Sequence, residues 1–262
     1  MSEEHGKFIW TELMTNDREA AGAFYRTVVG WTTVEMSDYD YTVFEAARPD
    51  GDGRAGIAGM MRIPPELLAE NVPPNWTAYV SVSDCDATVA KVAALGGTIR
   101  RPPEDIPEIG RFAVIADPHG AVLCIMTPVP MDVPPRPIPP TSPGQFGWYE
   151  LYADDCEAAF AFYAEVFGWT VDHDMDMGEL GIYRIFAHDG HVVGGMMTRM
   201  PQMQKAFWAS YITVDRLDAA VSRLVSGGGS VLNGPMEVPG PAYIVNAVDP
   251  QGAFFSLVAA ER

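Results

Sequence analysis

Apolar and polar positions along the chain spell one short pattern four times. Phe8 to Met14 reads as a strand, and from Asp17 to Val29 the residues Ala21, Phe24, Tyr25 and Val28 fall on one helical face. Asn16 with Glu19, and Asp154 with Glu157, have capping-box spacing, and Gly30 suits a helix stop. Trp76 to Val82 then alternates as a strand, a helix carrying Val89, Val92 and Ala93 follows, and Gly96-Gly97 ends it. Short strands follow each helix, split by turn signals such as Asp50-Gly51, Asp189-Gly190 and Asp117-Pro118-His119-Gly120. Strand, helix and three strands make the unit, which predicts an α+β fold.

Two of these units form a larger repeat. Trp10, Glu12, Leu13, Phe24, Tyr25, Gly30 and Trp31 recur 138 residues later as Trp148, Glu150, Leu151, Phe162, Tyr163, Gly168 and Trp169. Gly59-Met60-Met61 recurs as Gly195-Met196-Met197. At a separation of 132, Trp76, Tyr79, Asp86, Gly96-Gly97 and Asp117-Pro118-x-Gly120 recur as Trp208, Tyr211, Asp218, Gly228-Gly229 and Asp249-Pro250-x-Gly252. The constant order marks a duplicated domain. Between the copies, eight prolines in the sixteen residues 128–143 favour an extended spacer. Domain 1 is placed at 6–128, the linker at 129–143 and domain 2 at 144–262.

Composition narrows the class. Of 262 residues, 48% are hydrophobic and 20% charged, which fits a globular chain with a good core. No apolar run is long enough for a membrane helix, and the N-terminus does not read as a signal peptide. Cys85, Cys124 and Cys156 fit a reducing cytoplasm better than a disulfide scaffold. A net charge of −18 disfavours nucleic-acid binding. The expected partner is a small molecule, without nucleic acid or membrane, and the expected state is a monomer or weak homodimer.

The Asp17…Phe24-Tyr25…Gly30-Trp31 segment, the Gly96-Gly97 helix end, the Asp117-Pro118-x-Gly120 hairpin and their copies resemble the vicinal oxygen chelate superfamily. That superfamily holds glyoxalase I, bleomycin-resistance proteins, fosfomycin-resistance enzymes and extradiol dioxygenases. The resemblance implies two glyoxalase-like domains, each of two βαβββ units forming a cup-shaped eight-stranded mixed sheet around a pocket. Metal-using relatives place ligands at positions that fall here on Trp10, Thr77 and Cys124, and on Trp148, Ala209 and Ser256. Trp and Ala offer a metal nothing, so no cofactor is expected, and a divalent metal only outside those positions.

Strand alternation puts Glu12 on the face of Trp10, Tyr79 on that of Thr77, and Glu150 with Trp148. One reading is a ligand pocket drawing on Trp10, Glu12, Thr77, Tyr79, Cys124, Trp148, Glu150, Tyr211 and Ser256. In it a Trp wall takes a planar ligand, with carboxylate and phenol as polar handles. The other reading has Glu12 and Tyr79 hydrogen-bond each other or the backbone and pin the fold. The favoured function is metal-free binding of a small, largely aromatic ligand. The alternative is an enzyme of lyase, isomerase or dioxygenase type, acting on a carbonyl or aromatic metabolite through Glu12 or Glu150 or a displaced metal site. Phe24-Tyr25, Phe162-Tyr163 and the Met pairs read as core. His119 reads as part of a turn, His188 and His191 as solvated loop, and Cys156 as no nucleophile.

Overall fold

The computed structural model describes residues 4–36, 39–132, 136–240 and 242–262, so part of the Pro-rich joint lies outside the described residues. The first repeat runs β1 (Phe8–Thr15), α1 (Arg18–Val29), β2 (Thr32–Met36), β3 (Tyr41–Ala47), β4 (Arg54–Arg62) and a short α2 (Pro65–Ala69). It continues with β5 (Asn75–Ser81), α3 (Cys85–Ala94), β6 (Thr98–Ile106), β7 (Gly110–Ala116) and β8 (Val122–Pro128). The second runs β9 (Phe146–Ala153), α4 (Cys156–Phe167), β10 (Thr170–Asp176), β11 (Ile182–His188) and β12 (His191–Thr198). β13 (Phe207–Thr213), α5 (Leu217–Ser226), β14 (Ser230–Val238), β15 (Ala242–Val248) and β16 (Phe254–Ala259) complete it.

Each repeat forms one cup-shaped eight-stranded mixed sheet, with the orders β2-β3-β4-β1-β5-β8-β7-β6 and β10-β11-β12-β9-β13-β16-β15-β14. The first and last strands of each βαβββ unit pair parallel, as β1 does with β4 and β13 with β16, while consecutive strands pair antiparallel. The helix starts fall one residue beyond the expected caps. Asp17 and Asp155 are the N-caps, accepting from the amides of Ala20 and Ala158 at 3.0 Å. The neighbouring Asn16 and Asp154 have equal cap propensity, so spacing alone could not separate them. Gly30 and Gly168 end α1 and α4 at φ 87° and 76°, a left-handed backbone that glycine adopts without strain. In α3 the buried face is Cys85, Thr88 and Val92, whereas Ala93 is exposed.

Two compact units emerge from the residue contacts, and they do not coincide with the sequence repeats. One contains Met1–Ile9, Thr77–Pro135 and Tyr149–Trp208; the other contains Trp10–Trp76, Arg136–Trp148 and Ala209–Arg262. In the second unit, Leu13, Phe24, Tyr25, Trp31, Phe44 and Trp76 share a core with Ile212, Leu217, Leu224, Phe255 and Leu257. Phe24 meets Phe255 edge-on at 5.9 Å between ring centroids. In the first unit, Tyr163, Phe167, Trp169, Phe186 and Trp208 form the corresponding aromatic cluster.

The recurring sequence motifs meet inside these cores. Tyr25 donates its hydroxyl to Asp249 Oδ2 (3.2 Å) and accepts from Trp76 Nε1 (2.8 Å). Asp249 Oδ1 takes the amides of Gln251 and Ala253, both at 2.9 Å. The other unit repeats this with Tyr163, Asp117 and Trp208, at 3.1 Å and 3.0 Å, and with the amides of His119 and Ala121 on Asp117 Oδ1. Phe24-Tyr25 and Phe162-Tyr163 are therefore core, as their helical spacing implies. Burial pushes both tyrosine hydroxyls well above the ordinary phenol value. Burial also raises the Asp249 carboxyl, against backbone amides that hold it down. These are satisfied buried networks, and they tie the first half of one repeat to the second half of the other.

Candidate functional site

In the unit containing Trp10–Trp76, β1 brings Trp10 and Glu12 to one face, and a residue from β3 joins them. Trp10 Nε1 donates to the Tyr41 hydroxyl (3.0 Å), which donates to Glu12 Oε2 (2.9 Å). All three side chains are half-buried. The backbone makes room for this chain of donors. Glu12 lies in register with Gly59 of β4. A Cβ built on Gly59 would run into the Tyr41 hydroxyl and stand 3.0 Å from Trp10 Nε1. Only glycine lets a phenol lie flat across that strand. The same unit holds Trp148, half-buried at the end of its segment. It also holds Tyr211 in register with Ser256, both buried, with Ser256 Oγ donating to Asn246 Oδ1 at 3.0 Å.

The unit containing Tyr149–Trp208 repeats part of the arrangement. Glu150, only 5% exposed, lies in register with Gly195. A side chain on Gly195 would collide with the Tyr183 ring and hydroxyl. Tyr183 is thus to Glu150 what Tyr41 is to Glu12, a phenol laid over the facing glycine. Tyr79 and Cys124 are buried register partners of β5 and β8, with the Tyr79 ring 6.4 Å from Phe112, and Thr77 is half-buried on the same strand.

Tyr41 and Tyr183 escaped the sequence reading. Their separation is 142 residues, outside the offsets of 138, 136 and 132 that carry the other matches, although Tyr-x-x-Phe recurs at 41–44 and 183–186. Gly59 and Gly195 were the stronger hint, since a strand-interior glycine signals a close approach.

The histidine reading needs one correction. His188 is a buried end residue of β11, 7% exposed, with Nε2 against the His5 carbonyl. The turn signal at Asp189-Gly190 points to a solvated loop, but the half-buried partner His5 lies 183 residues away in sequence, where no local pattern reports it. His119 stands 3.8 Å from Asp154, an ion pair when protonated. Cys156 opens α4 but is buried, its thiol pushed up to about 11 mainly by that burial, so it is no thiolate nucleophile at neutral pH.

A metal finds no fitting donor set at the positions the family resemblance points to. Two indoles and a methyl group cannot ligate, and what remains, the Thr77 hydroxyl with the Cys124 thiol in one set and the Ser256 hydroxyl alone in the other, falls short of three protein ligands. Among the described residues no three His, Cys, Asp or Glu side chains are grouped to hold an ion. Among those residues, too, no helix is long and apolar enough to cross a membrane.

Comparison with known proteins fits this architecture. The family model of the Glyoxalase/Bleomycin resistance protein/Dioxygenase superfamily matches residues 7–125 and again 145–257. The chain belongs to that superfamily, as a tandem repeat. It is 34% identical over 260 residues to a Mycobacterium tuberculosis protein named "Putative glyoxylase CFP32", covering 95% of this chain and 93% of the relative. It is 32% identical over 261 residues to the anthracycline biosynthesis protein DnrV of Streptomyces peucetius, covering 95% and 91%. In fold it is similar to the Mn(II)-bound glyoxalase of Novosphingobium aromaticivorans, with a TM-score of 0.65 at 16% identity over 99% of this chain and 83% of that one. The 2,3-dioxygenase LapB of Pseudomonas sp. KL28 gives 0.64 at 15% identity over 99% and 93%.

Proposed function

We propose that this chain binds a small, largely aromatic organic molecule without the metal its superfamily commonly uses. The observation that carries the reading is the Trp10–Tyr41–Glu12 hydrogen-bonded chain. It holds an indole in one orientation beside a carboxylate, so a planar ring can stack while a donor or cation on the ligand meets Glu12. Prior fixing of these side chains lowers the ordering cost of binding. Glu150, in register with the glycine that Tyr183 overlies, offers a more buried carboxylate. The name of the Streptomyces relative gives independent support, because an anthracycline is a fused-ring, partly aromatic molecule.

A native mass spectrum of the purified protein, set against its denatured mass, tests this together with titration of a hydroxyanthraquinone followed by tryptophan fluorescence. An organic excess, or saturable quenching that weakens about tenfold or more in Glu12→Gln, is the expected result. A metal-sized excess, or binding untouched by Glu12→Gln and Glu150→Gln while stability falls, overturns it. The burial of Glu150 favours a second reading, an enzyme in which that carboxylate moves a proton on a bound carbonyl or aromatic metabolite. Turnover lost in Glu150→Gln would establish that reading.

A further inference from the structure

A second place in the molecule has the form of a site. In the unit containing Trp10–Trp76, a groove of about 280 Å³ runs along α1, lined by Arg18, Glu19, Gly22, Arg26, Thr33, Glu35, Met60 and Arg62. Its lining carries three arginines against two glutamates, in a chain with 35 acidic and 17 basic residues. Arg18 is matched by Glu35 and Asp40. Arg26 and Arg62 form no ion pair among the described residues, and Arg62 reaches only the Asn16 carbonyl at 3.2 Å. Arg26 and Arg62 against Glu19 leave one positive charge in excess, and Glu35 and Asp40 against Arg18 leave one negative, so the groove is neutral in sum within a chain of net charge −18. One donor is also left over: the Nε–H of Arg18 is buried without a hydrogen-bond partner among the described residues, an arrangement an incoming acceptor would relieve.

The second repeat shows what such a groove accommodates. Gly22 corresponds, at the offset of 138, to Phe160 of α4. There the Phe160 ring lies beneath a guanidinium, with Arg184 Cζ 5.0 Å from the ring centroid. In the first repeat the ring is missing, and a Cβ on Gly22 would meet only Thr33 and Met60 at ordinary contact distances of 3.4 and 3.7 Å. Arg26 and Arg62 are replaced in the second repeat by Ala164 and Thr198, so the cations accompany the open groove and not the filled one.

We infer that this groove binds a small aryl anion, an aromatic carboxylate or phosphate. Its ring takes the place Phe160 fills in the other repeat, and its charge lies between Arg26 and Arg62. The ring lies over the Gly22 backbone beside Thr33; the anion accepts charge-assisted hydrogen bonds from the guanidinium groups.

Calorimetric titration with phenyl phosphate, benzoate and inorganic phosphate tests the assignment. One saturable site for the two aryl anions is expected, weakened about tenfold or more by Gly22→Phe and by Arg26→Ala/Arg62→Ala, and weakened by added salt. Glu12→Gln leaves it unchanged, which separates this groove from the Trp10–Tyr41–Glu12 reading. Should Gly22→Phe fail to fold, the arginine pair decides alone, since both side chains are replaceable at the rim. Absence of saturation by ~10 mM, or affinity unchanged in the arginine double variant, overturns the site. Inorganic phosphate binding as tightly as phenyl phosphate overturns the aryl assignment.

Discussion

The two compact units share their buried chemistry and differ at their helix faces. Tyr25, Asp249 and Trp76 in one unit repeat as Tyr163, Asp117 and Trp208 in the other, with hydrogen bonds agreeing to within 0.2 Å. Outside the core, the same helix-to-sheet clamp is built in opposite senses. In one unit the cation stands on the helix, as Arg18 reaching Glu35 and Thr42 on the sheet. In the other it stands on the sheet, as Arg184 reaching back to Glu157 on α4 and across to Asp174 on β10. The recurrence of Tyr25, Asp249 and Trp76 as a buried hydrogen-bonded network therefore marks what the fold requires. Function is also sought where the copies diverge: Glu12 half-buried against Glu150 buried, and the buried Gly22 against the half-buried Phe160 ring.

If the shared core is equivalent in both units, breaking it should cost the same in either. Tyr25→Phe and Tyr163→Phe each remove one hydroxyl, leaving a buried indole N–H without its acceptor and a buried carboxylate one donor short. Each is expected to lower stability by about 1–3 kcal/mol in denaturant melts, the largest effect predicted here. A loss confined to one variant would end the equivalence. A smaller effect separates by pH. Burial raises the folded Asp249 carboxyl above its unfolded value of about 4, so the protonated form favours the fold. That contribution is fully present below the unfolded value and is lost as pH rises through the folded one. Asp249→Asn cannot ionise, and its stability should fall less than the parent's between about pH 4 and the folded value, measured by melts across that range.

The fold was legible because its signals are local. Strand alternation, the Ala21–Phe24–Tyr25–Val28 face and the glycine stops each occupy a few residues, and duplication repeats them. The pairing of halves into compact units was not legible, since Tyr25 and Asp249 are 224 residues apart and neither flank announces the other. The candidate site was half legible. Alternation placed Glu12 with Trp10, but the phenol between them comes from β3, and alternation says nothing about which neighbouring strand leans across a glycine. The Asp-Pro-x-Gly hairpin was read as a turn, and it is one. Its aspartate also has a second oxygen, and the spacing gave no sign that a tyrosine would claim it.

The clamps give the smallest predicted effect and the sharpest test of divergence. Arg18 and Arg184 are mostly covered, with 15% and 10% of the side chain exposed, yet their partners Glu35, Asp40 and Glu157 are largely in water. Solvent and salt screen such pairs, so Arg18→Ala should cost under about 1 kcal/mol. Arg184→Ala should cost somewhat more, because it also uncovers the Phe160 ring and frees Asp174, the more sheltered carboxylate at 37% exposure. The Arg184 hydrogen bond holds Asp174 below the ordinary carboxylate value. This stabilisation is present above the unfolded value of about 4 and fades as pH falls through the folded one. The difference between the two alanine variants should therefore be largest near neutrality in low salt and shrink on acidification. If Arg18→Ala proves equally costly and equally pH-dependent, the two clamps are one device with its charges exchanged, and the divergence between the units lies in Gly22 against Phe160 and Glu12 against Glu150.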